Sequence, residues 1–268
     1  NFQIVIFLAK RMHSFFMSFY MIAVFSPLFF IAGIIKGSIG FALPVATIPF
    51  LSLFINPIHA IALMSISLFS TNIMNVTVGL KEWKNLKHIV PFLVIGFCSV
   101  PIGVWILKWM DPNVVRLILA LAIAIFVFIR GLFPTPKIKS EFTKKWSLGS
   151  IFGFLGGLLG GMIGIPGPTT LIYFSMFNWK KDTFIFLINS FNALTSGLLV
   201  ASFLSQGIYT ETIFSYAILV LIPVFLGYWI GLRLRKYINQ NRFEFIVKIV
   251  LIGIAAVLFV RSVSGLTS

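Results

Sequence analysis

The stretch Gly33-Ile34-Ile35-Lys36-Gly37-Ser38-Ile39-Gly40-Phe41-Ala42-Leu43-Pro44 interrupts an apolar run with three glycines, a lysine and a closing proline. The second half of the chain repeats this pattern as Gly157-Leu158-Leu159-Gly160-Gly161-Met162-Ile163-Gly164-Ile165-Pro166-Gly167-Pro168. Gly33, Gly37, Gly40 and Pro44 correspond to Gly157, Gly161, Gly164 and Pro168 at one offset, since 157 − 33 and 168 − 44 are both 124. Further along, Gly103-Val104-Trp105-Ile106 matches Gly227-Tyr228-Trp229-Ile230 at the same offset. The sequence therefore predicts an internal duplication.

The composition is that of a membrane protein. Of the 268 residues, 59% are hydrophobic and only 10% are charged, and the mean hydropathy is +1.05, whereas about 25% of residues are charged in soluble domains. Apolar runs of about 20 residues recur along the chain, as a bilayer core of about 30 Å requires. We therefore predict an all-α polytopic membrane protein in contact with the lipid bilayer and without a soluble domain.

The net charge of +15 does not indicate a nucleic-acid partner. Most lysines and arginines lie between the apolar runs, where they set the orientation of membrane segments. Cys98 is the only cysteine, which excludes an internal disulfide and a thiolate metal cluster. We expect no signal peptide in the apolar start of the chain, because it lacks a preceding basic region and a small-residue cleavage site.

Five apolar segments can be assigned to each half. They cover about 15–36, 42–55, 58–80, 89–107 and 113–132 in the first half and about 148–165, 168–178, 183–204, 212–232 and 243–261 in the second. The chain thus divides into an N-terminal segment (1–14), a first transmembrane repeat (15–132), a polar linker (133–147) and a second transmembrane repeat (148–262).

An odd number of crossings in each half makes the two repeats inverted in the membrane. With the N-terminus outside, fourteen lysines and arginines fall in the inner loops 81–88, 130–145, 178–181 and 233–242, and five fall outside. Cytoplasmic loops carry the excess of positive charge in membrane proteins. This bias predicts an external N-terminus and a cytoplasmic linker, with Lys10 and Arg11 as exceptions.

The second segment of each half is too short to cross a membrane. Residues 169–178 would extend only about 15 Å as a helix, roughly half of the hydrocarbon core. We therefore expect two short, broken or re-entrant helical hairpins, which leave the parity unchanged and give eight to ten membrane segments.

The glycine-rich breaks are the candidate transport site. A proline suits the first turn of a helix, so each break would direct the positive end of a short helix toward the middle of the membrane. Two such ends form an anion site. The residues predicted to bind substrate here are Gly37, Gly40, Pro44, Gly161, Gly164, Pro168, Thr169 and Thr170. The alternative is that these glycines only allow close helix packing.

Lys36 lies within the first break, where a charge deep in the bilayer is costly. It either pairs with an anionic substrate or extends to the inner interface as an anchor. Polar residues also share one face of the third segment in each half, and they either face a cavity or join helices by hydrogen bonds. Those predicted to bind substrate are Thr71, Asn72, Asn75, Asn189, Asn192, Thr195 and Ser196.

The sequence contains no recognisable catalytic motif. All six acidic residues lie in loops or at segment ends, and the chain has no paired-carboxylate site, HExxH motif, Ser/His/Asp set or nucleotide-binding loop. We therefore expect no catalysis, no cofactor and no metal, and little scope for a carboxylate proton relay across the membrane.

Two hydrophobic halves that each open with a glycine-rich break ending in proline resemble the sulfite exporter TauE/SafE family of membrane permeases. The resemblance extends from about Phe30 to Val260 and is clearest at Gly156-Gly157-Leu158-Leu159-Gly160-Gly161-Met162-Ile163-Gly164. The first copy departs from it by placing Lys36 where a small residue is usual.

The resemblance implies export of sulfite, a sulfonate such as sulfoacetate, or a related small anion across a prokaryotic cytoplasmic membrane. Together with the repeat, it predicts a secondary carrier that works by alternating access. The alternatives are an anion channel-like permease and a non-transporting membrane scaffold. The sequence does not determine the anion, the coupling ion, the direction of transport or the oligomeric state.

Overall fold

The fold is that of a helical membrane protein, described by a computed structural model over residues 25–40, 43–132, 146–177, 179–235 and 240–267. The α-helices are α1 (Phe25–Ile39), α2 (Leu43–Leu51), α3 (Pro57–Val78), α4 (Val90–Trp109), α5 (Pro112–Leu132), α6 (Trp146–Ile163), α7 (Gly167–Ser175), α8 (Lys181–Ser205), α9 (Glu211–Leu219), α10 (Leu221–Leu234) and α11 (Gln240–Thr267). These ranges contain no strand, so the all-α prediction is confirmed. The N-terminal segment (1–14) and nearly all of the linker lie outside the described residues.

Two local features differ from the predicted segments. A 3₁₀ helix, Leu80–His88, occupies the first predicted inner loop. The predicted segment 212–232 is divided at Val220 into α9 and α10. Pro223 explains this division, because proline has no N–H to donate to the carbonyl of Leu219 one turn earlier.

The helices match a membrane environment in length and surface. Helices α3, α4 and α8 are each long and apolar enough to cross a bilayer, as are α9 and α10 taken together as Glu211–Leu234. Large apolar side chains lie on the outside, including Trp105, Trp229 and Val260, which are 61%, 58% and 66% exposed. An apolar surface of this extent is typical of a protein that faces lipid. The prediction of a polytopic membrane protein is confirmed.

Helices α1 and α2 form a hairpin. The rings of Phe25, at the start of α1, and Phe54, just after α2, lie 5.5 Å apart, so both ends of the pair are on one side. The chain reverses at Gly40, whose φ of +91° is in the region that glycine enters without strain. The nine residues of α2 extend only about 13 Å.

Helices α6 and α7 form a second hairpin of the same kind. The Phe152 ring in α6 lies 5.8 Å from the Tyr173 ring near the end of α7. The reversal occurs at Gly164, the residue 124 positions after Gly40, and its φ is also positive, at +68°. The helix α7 that follows again has only nine residues.

The loops collect at two opposite ends of the molecule. At one end, Lys81 forms an ion pair with Asp182 at 3.1 Å, and Thr183 donates a hydrogen bond to Glu82 at 2.7 Å. At the other end, the Arg116 Nε donates to the Ser52 carbonyl at 3.0 Å, and Arg261 donates to the Leu53 carbonyl. Helices α3 and α8 connect these ends and pack against each other through the middle of the protein.

Candidate functional site

A small cavity lies where the two hairpins meet α3 and α8. The first turns of both short helices line it, through Pro44 and Val45 of α2 and through Gly167 and Thr170 of α7. Its volume is about 30 Å³, room for about two water molecules. The remaining lining residues of this central cavity are Lys36, Leu68, Asn72, Gly160, Gly164, Pro166, Leu171, Ile188, Asn192, Thr195, Ser196 and Leu199.

Lys36 is the charged residue of the central cavity. Its side chain is only 1% exposed, so it does not extend to an interface. The Nζ atom donates hydrogen bonds to Asn72 Oδ1 of α3 at 2.5 Å and to Asn189 Oδ1 of α8 at 2.9 Å. One side chain in the first half is thus held by two amides, one from each half of the chain.

The partners of Lys36 are neutral. Among the acids whose side chains the structure describes, Glu82, Asp111, Asp182 and Glu211, none lines the central cavity. The two amide bonds use two of the three donors of an ammonium group. A buried ammonium without an opposite charge is unfavourable, and an anion in the cavity would supply that charge.

Asn75 forms one wall next to this site. Its Nδ2 donates to the Gly40 carbonyl and to Asn189 Oδ1, both at 3.3 Å, and its Oδ1 accepts a hydrogen bond from the Tyr228 hydroxyl at 3.0 Å. Asn75 therefore joins the α1–α2 break to α8 and α10. Sequence reasoning did not identify Tyr228, because a tyrosine in an apolar segment resembles an ordinary packing residue and its counterpart in the repeat is Val104.

Two residues at the repeat offset contact each other in the middle of the site. Asn72 Nδ2 donates to Ser196 Oγ at 3.3 Å, and these positions are 124 apart. Close by, Asn192 Oδ1 is buried and has no hydrogen-bond partner among the residues that the structure describes, so this polar atom beside the cavity is open to a ligand.

Some predicted site residues use their hydroxyls for hydrogen bonds to nearby carbonyls or pack against other helices. The Thr71 hydroxyl donates to the Ser67 and Leu68 carbonyls of its own helix, and Thr169 and Thr170 donate to the Pro166 carbonyl. Gly37 and Gly161 lie against neighbouring helices. The side chain of Pro168 lies outside the described residues. The predicted residues that line the cavity are Lys36, Pro44, Asn72, Gly164, Thr170, Asn192, Thr195 and Ser196.

A second cavity opens at the end that carries the 3₁₀ helix. We call it the vestibule; its volume is about 110 Å³, and its lining comprises Asn75, Val78, Gly79, Lys81, Asp182, Ile185, Phe186 and Arg235. Asn75 also bonds to Asn189 beside Lys36, so it connects the lining of the vestibule to the hydrogen-bond network around Lys36. Lys81 is paired with Asp182, and among the described residues no carboxylate pairs with Arg235, the other cation of the lining.

The opposite end of the site is closed. The hydroxyls of Ser65 and Tyr209 form a hydrogen bond, and Tyr209 also donates to the Ala62 carbonyl at 3.2 Å. Burial raises the pKa of Tyr209 to about 12, against the lowering effect of the bond to Ser65, so the phenol stays neutral at physiological pH. The ring of the fully buried Phe203 packs on Tyr209 with centroids 5.9 Å apart.

Within the described ranges, no group of three or more His, Cys, Asp or Glu side chains is placed to hold a metal ion. The groups that line the central cavity are the Lys36 amine, side-chain amides and hydroxyls, and the first turns of α2 and α7.

Comparison with known proteins identifies the family. A family model described as Sulfite exporter TauE/SafE matches residues 25–258, which includes both hairpins and the central cavity. No curated protein and no solved structure matches the chain. The family consists of membrane transporters, and its match covers most of the chain, as the sequence resemblance predicted. The chain is a member of the sulfite exporter TauE/SafE family.

Proposed function

We propose that this protein is a secondary carrier that exports a small organosulfur oxyanion, such as sulfite or a sulfonate, and that the central cavity binds it. The observation that carries the proposal is Lys36, a fully buried lysine held by two neutral amides. An oxyanion would supply the missing negative charge. Family membership supports the class of substrate.

The other groups around the cavity suit the same ligand. The first turns of α2 and α7 both line it, and helix N-termini carry partial positive charge and free N–H groups. The Asn72 amide and the hydroxyls of Thr195 and Ser196 also line the cavity. The two hydroxyls donate to carbonyls of α8, so each would exchange that hydrogen bond for one to a bound oxyanion. No described carboxylate in the lining would repel an anion.

The size of the cavity favours a carrier over a channel. An open channel needs a continuous aqueous path, whereas this cavity holds about two water molecules and is closed on the Tyr209 side. An oxyanion therefore requires the helices around the site to move apart. Binding coupled to such a movement is the essence of alternating access.

In our proposal the two repeats are related by inverted symmetry, and the movement arises when they exchange conformations. Three observations support this symmetry: the hairpins have their ends on opposite sides, their reversals at Gly40 and Gly164 have similar backbone geometry, and Asn72 meets Ser196 at the repeat offset. The loops at the vestibule end are those predicted to be cytoplasmic from their charge.

The membrane potential can drive the proposed export. A negative cell interior favours outward movement of an anion by about 2.3 kcal/mol per charge per 100 mV. The proposal requires no proton-carrying carboxylate, and none of the residues that line the central cavity carries one.

A thermal-shift screen of the purified protein tests this proposal. We expect sulfite and sulfoacetate to raise the melting temperature in a saturable manner, because a ligand that binds only the folded state stabilises it. Dimethyl sulfone, which has sulfonyl oxygens but no charge, is the matched control and should have no effect. Equal shifts with the sulfone and the anions would contradict a site built around a buried cation, and no shift with any small anion would favour the scaffold alternative.

A further inference from the structure

Each hairpin is attached to the opposite half of the chain by a glycine-lined helix contact. Helix α1 packs against α10, and helix α6 packs against α4. These two contacts, called the seams below, are equivalent at the offset of 124, because α1 corresponds to α6 and α10 corresponds to α4. A symmetric molecule would have the same register in both seams.

The register of the α1–α10 seam follows from two glycines. A Cβ atom at Gly33 would lie 2.2 Å from the Val224 carbonyl oxygen, and one at Gly37 would lie 2.2 Å from that of Tyr228. The offset of 124 then predicts that Gly157 faces Val100 and that Gly161 faces Val104 in the other seam.

The α6–α4 seam has a different register. A Cβ atom at Gly157 would lie 1.9 Å from the Gly96 carbonyl oxygen, and one at Gly161 would lie 2.2 Å from that of Val100. Each contact is displaced by four residues along α4 from its predicted partner. The two seams are therefore packed one helical turn apart, about 6 Å at 1.5 Å per residue.

The glycines of the partner helices report the same displacement independently. A Cβ atom at Gly227 would lie 2.0 Å from the Phe30 carbonyl oxygen, whose equivalent in α6 belongs to Phe154. The equivalent glycine, Gly103, instead faces the carbonyl oxygen of Leu158, at 2.3 Å. Again the difference is four residues.

Small residues repeat along the seams at the spacing of this displacement. Helix α6 has glycines at 149, 153, 157 and 161, α1 at 33 and 37, and α10 at 227 and 231, while α4 has Gly96, Ser99 and Gly103. A slide by one turn brings one α6 glycine to the place of another and brings Gly103 to the place of Ser99. It also brings Leu107 to the place of Gly103 and Pro223 to that of Gly227, where a Cβ atom would meet a backbone oxygen, so the helices must also move apart during the slide. Larger side chains on either side oppose intermediate positions, so two discrete registers are expected rather than a continuous range.

The two ends of the site also differ in how accessible their equivalent residues are. Val78 and Gly79 line the open vestibule, and Val78 is 67% exposed. Their equivalents at the closed end are Ser202 and Phe203, which are 7% and 0% exposed. The molecule is thus asymmetric in access and in seam register at once.

We propose that the two seams exchange registers during transport, each sliding by one helical turn, so that the vestibule closes and the opposite end opens. In the second state Gly157 faces Val100 and Gly161 faces Val104, while Gly33 faces Val220 and Gly37 faces Val224. This inference rests on the proposed carrier function, and it assigns the moving parts.

Distances between spin labels test the exchange. In a Cys98→Ser background, maleimide nitroxides are attached at pairs of exposed positions and measured by double electron–electron resonance in lipid, with and without sulfoacetate. For labels at Ile151 and Trp109, the axial separation should fall from about 28 Å to about 22 Å. For labels at Ile31 and Leu234, it should rise from about 18 Å to about 24 Å.

The pair Leu80 and Leu204 is the matched control. These positions are 124 apart and are 53% and 54% exposed. Because exchange of the two halves maps this pair onto itself, its distance must stay constant. Opposite changes of about 6 Å in the two seam pairs, with a constant control, support the exchange.

Seam distances that stay fixed with and without sulfoacetate overturn the exchange. If the thermal shift nevertheless shows anion binding, the proposed function stands and only the moving parts are wrong. If the anion neither binds nor changes any distance, both proposals fail. Equal changes in the same direction would indicate a different movement and would also overturn the register exchange.

Discussion

Replacement of Lys36 by methionine removes the buried charge while keeping an unbranched side chain of similar length. Lys36 Nζ donates to Asn72 and Asn189, and its side chain is 1% exposed. A charged hydrogen bond to a ligand at such a site contributes about 1.5–3 kcal/mol. Since 1.4 kcal/mol is a factor of ten, the variant should bind sulfite about 10- to 150-fold more weakly.

The stability of the unliganded protein should change less than its affinity. Loss of the ammonium leaves Asn72 Oδ1 without this donor, which costs about 1–3 kcal/mol, but it also removes the cost of burying a charge that has no opposite charge beside it. Because these effects oppose each other, we expect the free energy of unfolding to change by about 1 kcal/mol or less.

Isothermal titration calorimetry with sulfite measures the affinity, and a thermal melt without ligand checks the fold. Lys36→Gln retains hydrogen-bond donors without the charge and should also bind weakly. Lys81→Met is the matched control, because it makes the same change at a lysine whose side chain is exposed to solvent and paired with Asp182. An affinity within twofold of the wild type in both Lys36 variants would refute the assignment of Lys36 as the charge partner of the anion.

Two further variants test the structure around the site. Gly164→Ala should lower the free energy of unfolding by more than Gly207→Ala. Both glycines have φ of +68°, a backbone conformation that destabilises alanine by about 1–2 kcal/mol. A Cβ atom at position 164 would in addition lie 2.9 Å from an Ile48 methyl group, whereas a Cβ atom at position 207 would have no atom within 4 Å. Equal losses would show that the break tolerates a side chain. Tyr228→Phe should lower the free energy of unfolding by about 1 kcal/mol, because Asn75 Oδ1 loses its hydrogen-bond donor. The control variant Tyr216→Phe should lower it only slightly, and reversible denaturation in detergent measures both values.

Much of the fold could be predicted from the sequence, because apolar length and glycine-proline breaks are strong signals in membrane proteins. Ten segments were expected, and helices occupy all ten positions within a few residues over the described ranges. The division at Val220 could have been inferred from Pro223, since proline removes a helical hydrogen bond. The 3₁₀ helix Leu80–His88 was assigned to a loop because of its charges, although Leu80, Trp83 and Leu86 recur every three residues, as is typical of a 3₁₀ helix.

The site was predicted unevenly, for a physical reason. Lysine and asparagine are unfavourable in a membrane segment unless they find a polar partner, so Lys36, Asn72 and Asn189 could be identified from the sequence. They form the centre of the hydrogen-bond network around the central cavity. Threonines could not be assigned, because a hydroxyl can bond to its own helix, as that of Thr71 does. Tyr228 was missed because its contact with Asn75 depends on how α10 packs, which no local pattern records. That the repeats are inverted in the membrane stays a prediction.

Counterflow in proteoliposomes is the most direct test of a carrier built around Lys36. Vesicles with the wild-type protein and an internal load of unlabelled sulfite should take up external labelled sulfite transiently above its equilibrium level, with a rate that saturates. The same vesicles with the Lys36→Met variant should show little uptake at the same concentration. Uptake that rises linearly with concentration and shows no overshoot would indicate a pore, and equal counterflow by both proteins would contradict the role of the buried lysine.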